Sequence, residues 1–405
     1  MDPVKTPLRL VSLACLLALA ACGGGSGDDE AVANEQATAA SVSDAELAQA
    51  SALLDTASDR SAWTDAEGTS TDTVAAGDET ALMVSAAATS LRTPKKSGST
   101  PTPTPAPSTT AVSDSARIAA ATATAQSTSN ACSKVRPFYW EIGNAAGKQA
   151  SGSIAAGSTA AVKSSAPITI ASASKWLYGA YVAQARAGVL TGTDRKYLSM
   201  TAGYVSLSTC SGLSSVDACL STGSNGVYSS GYDGIFDYDG GHMEKHASLI
   251  GLGALTTKAL ATEVRAKLGS DVALSYSQPL MAGGAVISTD AYALFLRKIL
   301  GGKLQMASLL GTGTVCTNPT TCATAAYAPL PASESWHYSV AHWVEDDPKV
   351  GDGAFSSPGA FGFYPWIDAT KTNYGIVARV ATNGALGSVN CGRLIRSAWA
   401  TGVAK

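Results

Sequence analysis

The chain has 405 residues, 45% hydrophobic, 7% aromatic and only 15% charged, and its 28 Lys and Arg against 31 Asp and Glu leave a formal net charge of −3. A near-neutral balance provides no extended basic field, which argues against nucleic acid or any other polyanion as the main partner. Scarce charge with abundant Ala, Ser, Thr and Gly suits an exported protein better than a cytosolic nucleotide enzyme, and a single domain spanning the whole length is not expected.

Lys5 and Arg9 precede an apolar run over residues 10–21 that is too short to span a bilayer as a mature helix and ends at Leu19-Ala20-Ala21-Cys22. This layout predicts a signal peptide over 1–21. Its Leu-Ala-Ala-Cys ending resembles a bacterial lipobox, which implies cleavage before Cys22, lipidation of the thiol, and a membrane-tethered mature protein. The tether-like Gly23-Gly24-Gly25-Ser26-Gly27 comes immediately after. The predicted location is therefore the bacterial cell envelope, periplasmic or at the cell surface.

Residues 22–130 are rich in Ala, Ser, Thr, Asp and Glu and contain Pro-Thr-Pro-Thr-Pro-Ala-Pro at 101–107. Such a composition buries too little apolar surface to offset its ordering entropy, and the segment reads as a disordered stalk. A short amphipathic helix within Ser43 to Trp63 is the one local exception, with Leu47, Ala50, Leu53 and Leu54 at helical spacing after a candidate Asp44 cap.

The texture changes at Cys132, and residues 131–405 are long enough for one large domain with a buried core. Strands are expected at Phe138 to Ile142 and Ile168 to Ile170, then a helix from Ser172 to about Ala187. Further helices are expected over Leu255 to Leu268 and Asp290 to Leu300. Strands return at Phe361 to Ile367 and Tyr374 to Val380, around a turn at 368–371. Sheet at both ends with helices between them indicates a mixed α+β fold whose first and last strands pair.

Six cysteines remain beyond Cys15 and Cys22, and an even count in an exported chain favours disulfides. Proximity nominates Cys210 with Cys219 and Cys316 with Cys322, leaving Cys132 and Cys391 to join the domain's two ends, although six cysteines allow fifteen pairings. No closely spaced pair resembles a zinc knuckle.

The strongest chemical signal is Ser172-Ala173-Ser174-Lys175, directly after a strand and opening an apolar helix. Positions three apart share a helical face, so the Lys175 amine can sit beside the Ser172 hydroxyl. A partly desolvated lysine loses much of its preference for the charged form and can then accept the serine proton. The helix N-terminus, with its unpaired N–H groups, favours developing negative charge nearby. The bland alternative is a serine cap followed by a solvated lysine.

Together with three elements farther along the chain, this motif resembles the serine β-lactamase and penicillin-binding-protein superfamily, in particular the branch of class C β-lactamases, DD-peptidases, esterases and nylon-oligomer hydrolases. Ser199 to Tyr204 echoes that branch's turn after the first helix, and Tyr238-Asp239-Gly240 corresponds best to its Tyr-x-Asn element. Ala282 to Asp290 is similar to its Gly-Gly stretch ending in Ser-Thr and Asp. The resemblance implies an antiparallel sheet flanked by helices, Ser172 as nucleophile, Lys175 as its base, and Tyr238 as a phenol that shuttles the proton. It also implies an oxyanion hole from the N–H groups of Ser172 and Ala360. Tyr276 rivals Tyr238 by letters, but it comes after the helix that should succeed the motif.

One departure concerns the third family element, Lys-Thr-Gly or His-x-Gly, whose place is taken by Ser357-Pro358-Gly359. With Ser357 and Gly359 as the substrate-binding residues, the cation that would hold a substrate carboxylate is missing, which favours short esters or amides. No cofactor or metal is required. His242 and His246 are four apart and could share a helical face, but the glutamate between them is misplaced for a metalloprotease pattern. No Gly-x-Ser-x-Gly elbow is present. His337, His342 and Trp343 read as core or rim residues.

The expectation is thus a lipid-anchored, exported serine hydrolase acting on a small ester or amide through an acyl-enzyme. The alternative is a non-catalytic relative that binds cell-wall peptide, since fold does not fix function.

Overall fold

The computed structural model describes residues 42–57, 63 and 112–405. The expected signal peptide, Cys22 and most of the segment read as a stalk lie outside the described residues. Two helices, α1 (Asp44–Leu54) and α2 (Asp114–Gln126), precede the hairpin of β1 (Phe138–Asn144) and β2 (Lys148–Ile154). The helical middle continues as β3 (Ile168–Thr169), α3 (Ser174–Ala185), α4 (Gly192–Leu198), α5 (Val216–Leu220), β4 (Phe236–Asp237), α6 (Gly241–Ala247) and α7 (Thr257–Leu268). Next come β5 (Leu274–Tyr276), β6 (Ala285–Ile287), α8 (Thr289–Leu300), α9 (Met306–Leu309), β7 (Val315–Cys316) and β8 (Ala325–Tyr327). The chain returns to the sheet through β9 (His337–Tyr338), β10 (Trp343–Glu345), β11 (Ala354–Ser356), β12 (Tyr364–Ile367) and β13 (Asn373–Ala378), and ends in α10 (Ala385–Thr401).

Among the described residues the main sheet has eight antiparallel strands in the order β2-β1-β13-β12-β11-β10-β9-β7. The expected closure of the domain's two ends is present, with Trp140 opposite Val377 and Ile142 opposite Gly375. Every residue of β1 from Phe138 to Gly143 is buried, because the sheet is covered on both faces, by α8 and by α10. This is the α+β architecture expected from the motif series: an antiparallel sheet flanked by helices. A small second sheet, β3-β6-β5, carries the chain into α3. That helix is buried on every side from Ser174 to Ala183, as its apolar sequence requires.

The stalk reading is corrected where the structure describes it. Ser113 caps α2, and Ala120, Ala121 and Ala125 are buried where that helix packs on α10; these small side chains let two helices approach closely. Arg117 Nη1 donates to the Trp399 carbonyl at 2.8 Å, satisfying a carbonyl near the end of α10. The folded unit therefore includes residues ahead of 131. Composition hid them because an alanine face supplies little apparent hydrophobicity. α1 is also present, with a capping box between Ser43 and Glu46 in place of the expected Asp44 cap.

Disulfides join Cys132 to Cys391, Cys210 to Cys219, and Cys316 to Cys322, the pairing that proximity nominated. The first ties the turn before β1 to α10. On the sheet side, α10 is held by Arg396 and Arg393 against buried Glu345. Burial acts to raise the Glu345 carboxyl, but the two guanidiniums hold it down at about 2.

Candidate active site

Ser172 sits in a 3-10 turn, Ala171–Ala173, between β3 and α3, two residues before the α-helix that was expected to open at Ser172. Ala171 adopts φ +43°, a left-handed conformation that costs an L-residue about 1–2 kcal/mol and persists only when its surroundings fix it. Three contacts do so. Ser357 Oγ donates to the Ser172 carbonyl at 3.1 Å, and Tyr292 Oη donates to the Ala173 carbonyl at 2.9 Å. Gly359 lies so close to the turn that a Cβ there would fall 2.0 Å from the Ile170 carbonyl oxygen, so only glycine fits.

Lys175, in the first turn of α3, places Nζ 3.0 Å from Ser172 Oγ and donates to the Ala282 carbonyl at 2.9 Å. Nζ also lies 5.0 Å from the centroid of the Tyr238 ring. All three side chains are buried, at 4% (Ser172), 0% (Lys175) and 2% (Tyr238) exposure. Of the two tyrosines weighed from sequence, Tyr238 is therefore the one brought to Lys175. Tyr276 is on β5, with its hydroxyl buried and unpartnered among the described residues.

The connection from β11 to β12 passes the other side of Ser172. Ser357, read as a substrate contact, turns its hydroxyl to the Ser172 carbonyl, and Gly359 gives the clearance that lets the loop approach the turn. The N–H of Ala360 donates to no group among the described residues, while its carbonyl accepts from Gly384 N at 2.7 Å. The two expected oxyanion donors thus come from adjoining stretches of chain, the turn at Ser172 and the loop at Ala360.

The His242 to His246 stretch lies in α6, and each of its polar side chains with a described partner braces a different element. His242 Nδ1 accepts from Ala202 N at 3.1 Å, which fixes the tautomer, so Nε2 donates to the Asp237 carbonyl at 3.1 Å. Burial pushes this imidazole down to about 3, so it is neutral. Both Glu244 carboxylate oxygens, at 3.0 and 2.8 Å, accept from Met281 N, the residue before the carbonyl that holds Lys175. His246 links Asp194 at 3.0 Å to the Tyr178 hydroxyl at 2.8 Å. All four ring nitrogens are occupied by protein partners. His342 stacks on Trp176, donates from Nδ1 to Val340 O and accepts from Gly311 N, a core role. His337 pairs with Asp346 at the surface.

Sequence reading missed Ala282, which contributes a backbone carbonyl and has no side-chain signature, and Glu244, hidden inside a motif weighed only as a metal site. Of the aromatic group around Tyr238 it named only Trp343, as a core or rim residue. Trp343 stacks on that ring at 5.1 Å, Tyr338 meets it edge-on at 5.8 Å, and Trp63 does so at 6.5 Å.

No family model and no curated protein matches the chain. Among solved structures it is similar to FmtA from Staphylococcus aureus, at 12% identity over 67% of this chain and 88% of that one, with a TM-score of 0.47. It is also similar to EstCE1, a hydrolase with promiscuous acyltransferase activity, at 10% identity over 71% and 99%, with a TM-score of 0.47. A penicillin binding protein from Bacillus halodurans is 12% identical over 62% and 94%, with a TM-score of 0.44.

Proposed function

We propose that this protein is a serine hydrolase that cleaves an ester or amide through an acyl-enzyme on Ser172. The observation that carries this reading is the buried Ser172 Oγ to Lys175 Nζ contact of 3.0 Å, on a strained turn braced from three sides. A hydroxyl with an amine in hydrogen-bond reach is the arrangement that activates a weak nucleophile.

In the proposed reaction Lys175, in its neutral form, takes the Ser172 proton as Oγ bonds to the substrate carbonyl carbon. The resulting oxyanion is held by the N–H groups of Ser172 and Ala360, the two donors that an acyl-transfer intermediate needs. Collapse breaks the bond to the alcohol or amine, which leaves with the proton, relayed through Tyr238. Water then adds to the acyl carbon, giving its proton to Lys175, and the acid departs as Ser172 regains its hydrogen. Ser357 is neutral and turned to backbone, which favours substrates without a carboxylate at that point. The sequence of residues 1–27 supports export and a lipid anchor at Cys22.

The test is labelling of the full chain with a fluorophosphonate and mapping of the adduct by peptide mass. An adduct on Ser172 that disappears in Ser172→Ala and falls at least about a hundredfold in rate in Lys175→Ala is expected. No adduct on the folded protein would refute the reading.

A further inference from the structure

Trp63 comes from the region that composition marks as stalk, yet its side chain is only 7% exposed. Its indole meets the rings of Trp343, Trp336 and Tyr238 edge-on, at 5.9, 6.2 and 6.5 Å between centroids. The Trp63 backbone N–H donates to the Pro329 carbonyl at 2.8 Å. Tyr238 is also the ring that faces Lys175 Nζ, so this aromatic box shares one of its walls with the surroundings of that amine.

A second anchor of the same segment sits beside Lys175. Leu54, at the end of α1, lies against Gly283, next to the carbonyl that receives Lys175 Nζ. Asp55 accepts from Gln278 Nε2 at 2.7 Å and from Thr209 Oγ1, and Gln278 also donates to the Ser51 carbonyl. The docked face of α1 buries only Ala50 and Leu54. That is a light attachment for an eleven-residue helix, which is marginal on its own. Meanwhile Ser172 is 4% exposed, although its hydroxyl must meet a carbonyl arriving from solvent.

We infer that the box of Tyr238, Trp336 and Trp343 is the subsite for an aromatic group of the substrate, and that Trp63 occupies it as an internal stand-in that substrate displaces. This rests on the hydrolase reading above and names its substrate class: aryl-bearing esters or amides. Three aromatic walls receive a flat apolar group edge-on, the geometry in which rings attract beyond their burial. A site filled by its own chain binds an external ligand more weakly by the fraction of time it is vacant.

The experiment compares the full-length protein with Trp63→Ala and Asp55→Ala, using N-acetyl-tryptophan amide as a non-covalent probe by calorimetry and a small fluorophosphonate as a label for Ser172. If the box is filled about nine-tenths of the time, Trp63→Ala should bind the probe and label about tenfold better than the parent, with Asp55→Ala changed in the same direction. Probe binding to Trp63→Ala without labelling of any variant supports the subsite and removes the hydrolase reading. Equal labelling of all three proteins with no probe binding keeps the hydrolase reading and overturns this one. If Trp63→Ala fails to fold, Asp55→Ala decides: faster labelling supports the inference, and parental labelling makes Trp63 a core residue and overturns it.

Discussion

Acidification from about pH 7 to about pH 5 should destabilise this protein through its buried histidines. Burial holds His242 at about 3 and His342 at about 4, against an ordinary value of 6.5, so both stay neutral in the folded chain throughout that range. The unfolded chain takes up a proton at each as pH falls through about 6.5. The unfolded state then binds more protons, and stability drops with pH. For each imidazole the loss by pH 5 is about 2 kcal/mol, at about 1.4 kcal/mol per pH unit below 6.5, or about 4 kcal/mol for the pair. His246 is lowered by burial against the opposing pull of Asp194 and adds in the same direction. The carboxylates act in a lower window: Asp194 and Glu345, both at about 2 in the fold, lose their contribution only below about pH 4.5. Urea unfolding followed by tryptophan fluorescence at both pH values measures the difference, and His242→Gln should reduce it by about 2 kcal/mol. A fall of less than about 1 kcal/mol between the two pH values in the parent protein would refute the assignment of neutral, buried imidazoles.

Three other outcomes are expected. Tyr238→Phe keeps the ring that faces Lys175 and removes only the hydroxyl, so a drop of about a hundredfold in kcat/KM identifies the phenol as the proton relay, whereas parental turnover assigns Tyr238 to packing. Gly359→Ala forces a methyl group into the Ile170 carbonyl; thermal unfolding should show a loss of about 1–3 kcal/mol, and fluorophosphonate labelling of Ser172 should fall with it. Removing the Cys132 to Cys391 bridge by paired Ser substitutions frees a 259-residue separation, worth up to about 5 kcal/mol in the chain-entropy account, and the shift in denaturant midpoint measures it.

The proximity of Ser172 and Lys175, the pairing of the terminal strands and the three disulfides were legible because each rests on a simple rule: helical spacing, alternation or loop proximity. Helix α7 and strand β13 lie within two residues of expectation for the same reason. What escaped depends on contacts between distant parts of the chain. The left-handed Ala171 is imposed by Ser357, Tyr292 and Gly359, none near it in sequence, and alanine has no intrinsic preference that would announce it. α2 is stable because α10 receives its alanine face. Trp63 is a single aromatic in a polar run, and only the box formed by residues 238, 336 and 343 gives it a place.

The α6 stretch shows why spacing alone misleads at such a site. Residues 242 and 246 share the four-residue interval of a metal pair, but a buried polar group must be satisfied by whatever surrounds it, and here three backbones and two side chains do so. The consequence is mechanical. His242 ties the Ala202 turn to the strand that delivers Tyr238, Glu244 fixes the peptide next to the carbonyl that holds Lys175, and His246 couples α4 to α3 at Tyr178, one turn beyond Lys175. A lysine side chain has many rotamers, and holding its amine 3.0 Å from a serine demands that the groups on either side of it be rigid. Helix α6 supplies that rigidity from one short element, so the residues that look most like a metal pair are the ones that hold the Ser172 and Lys175 contact in register.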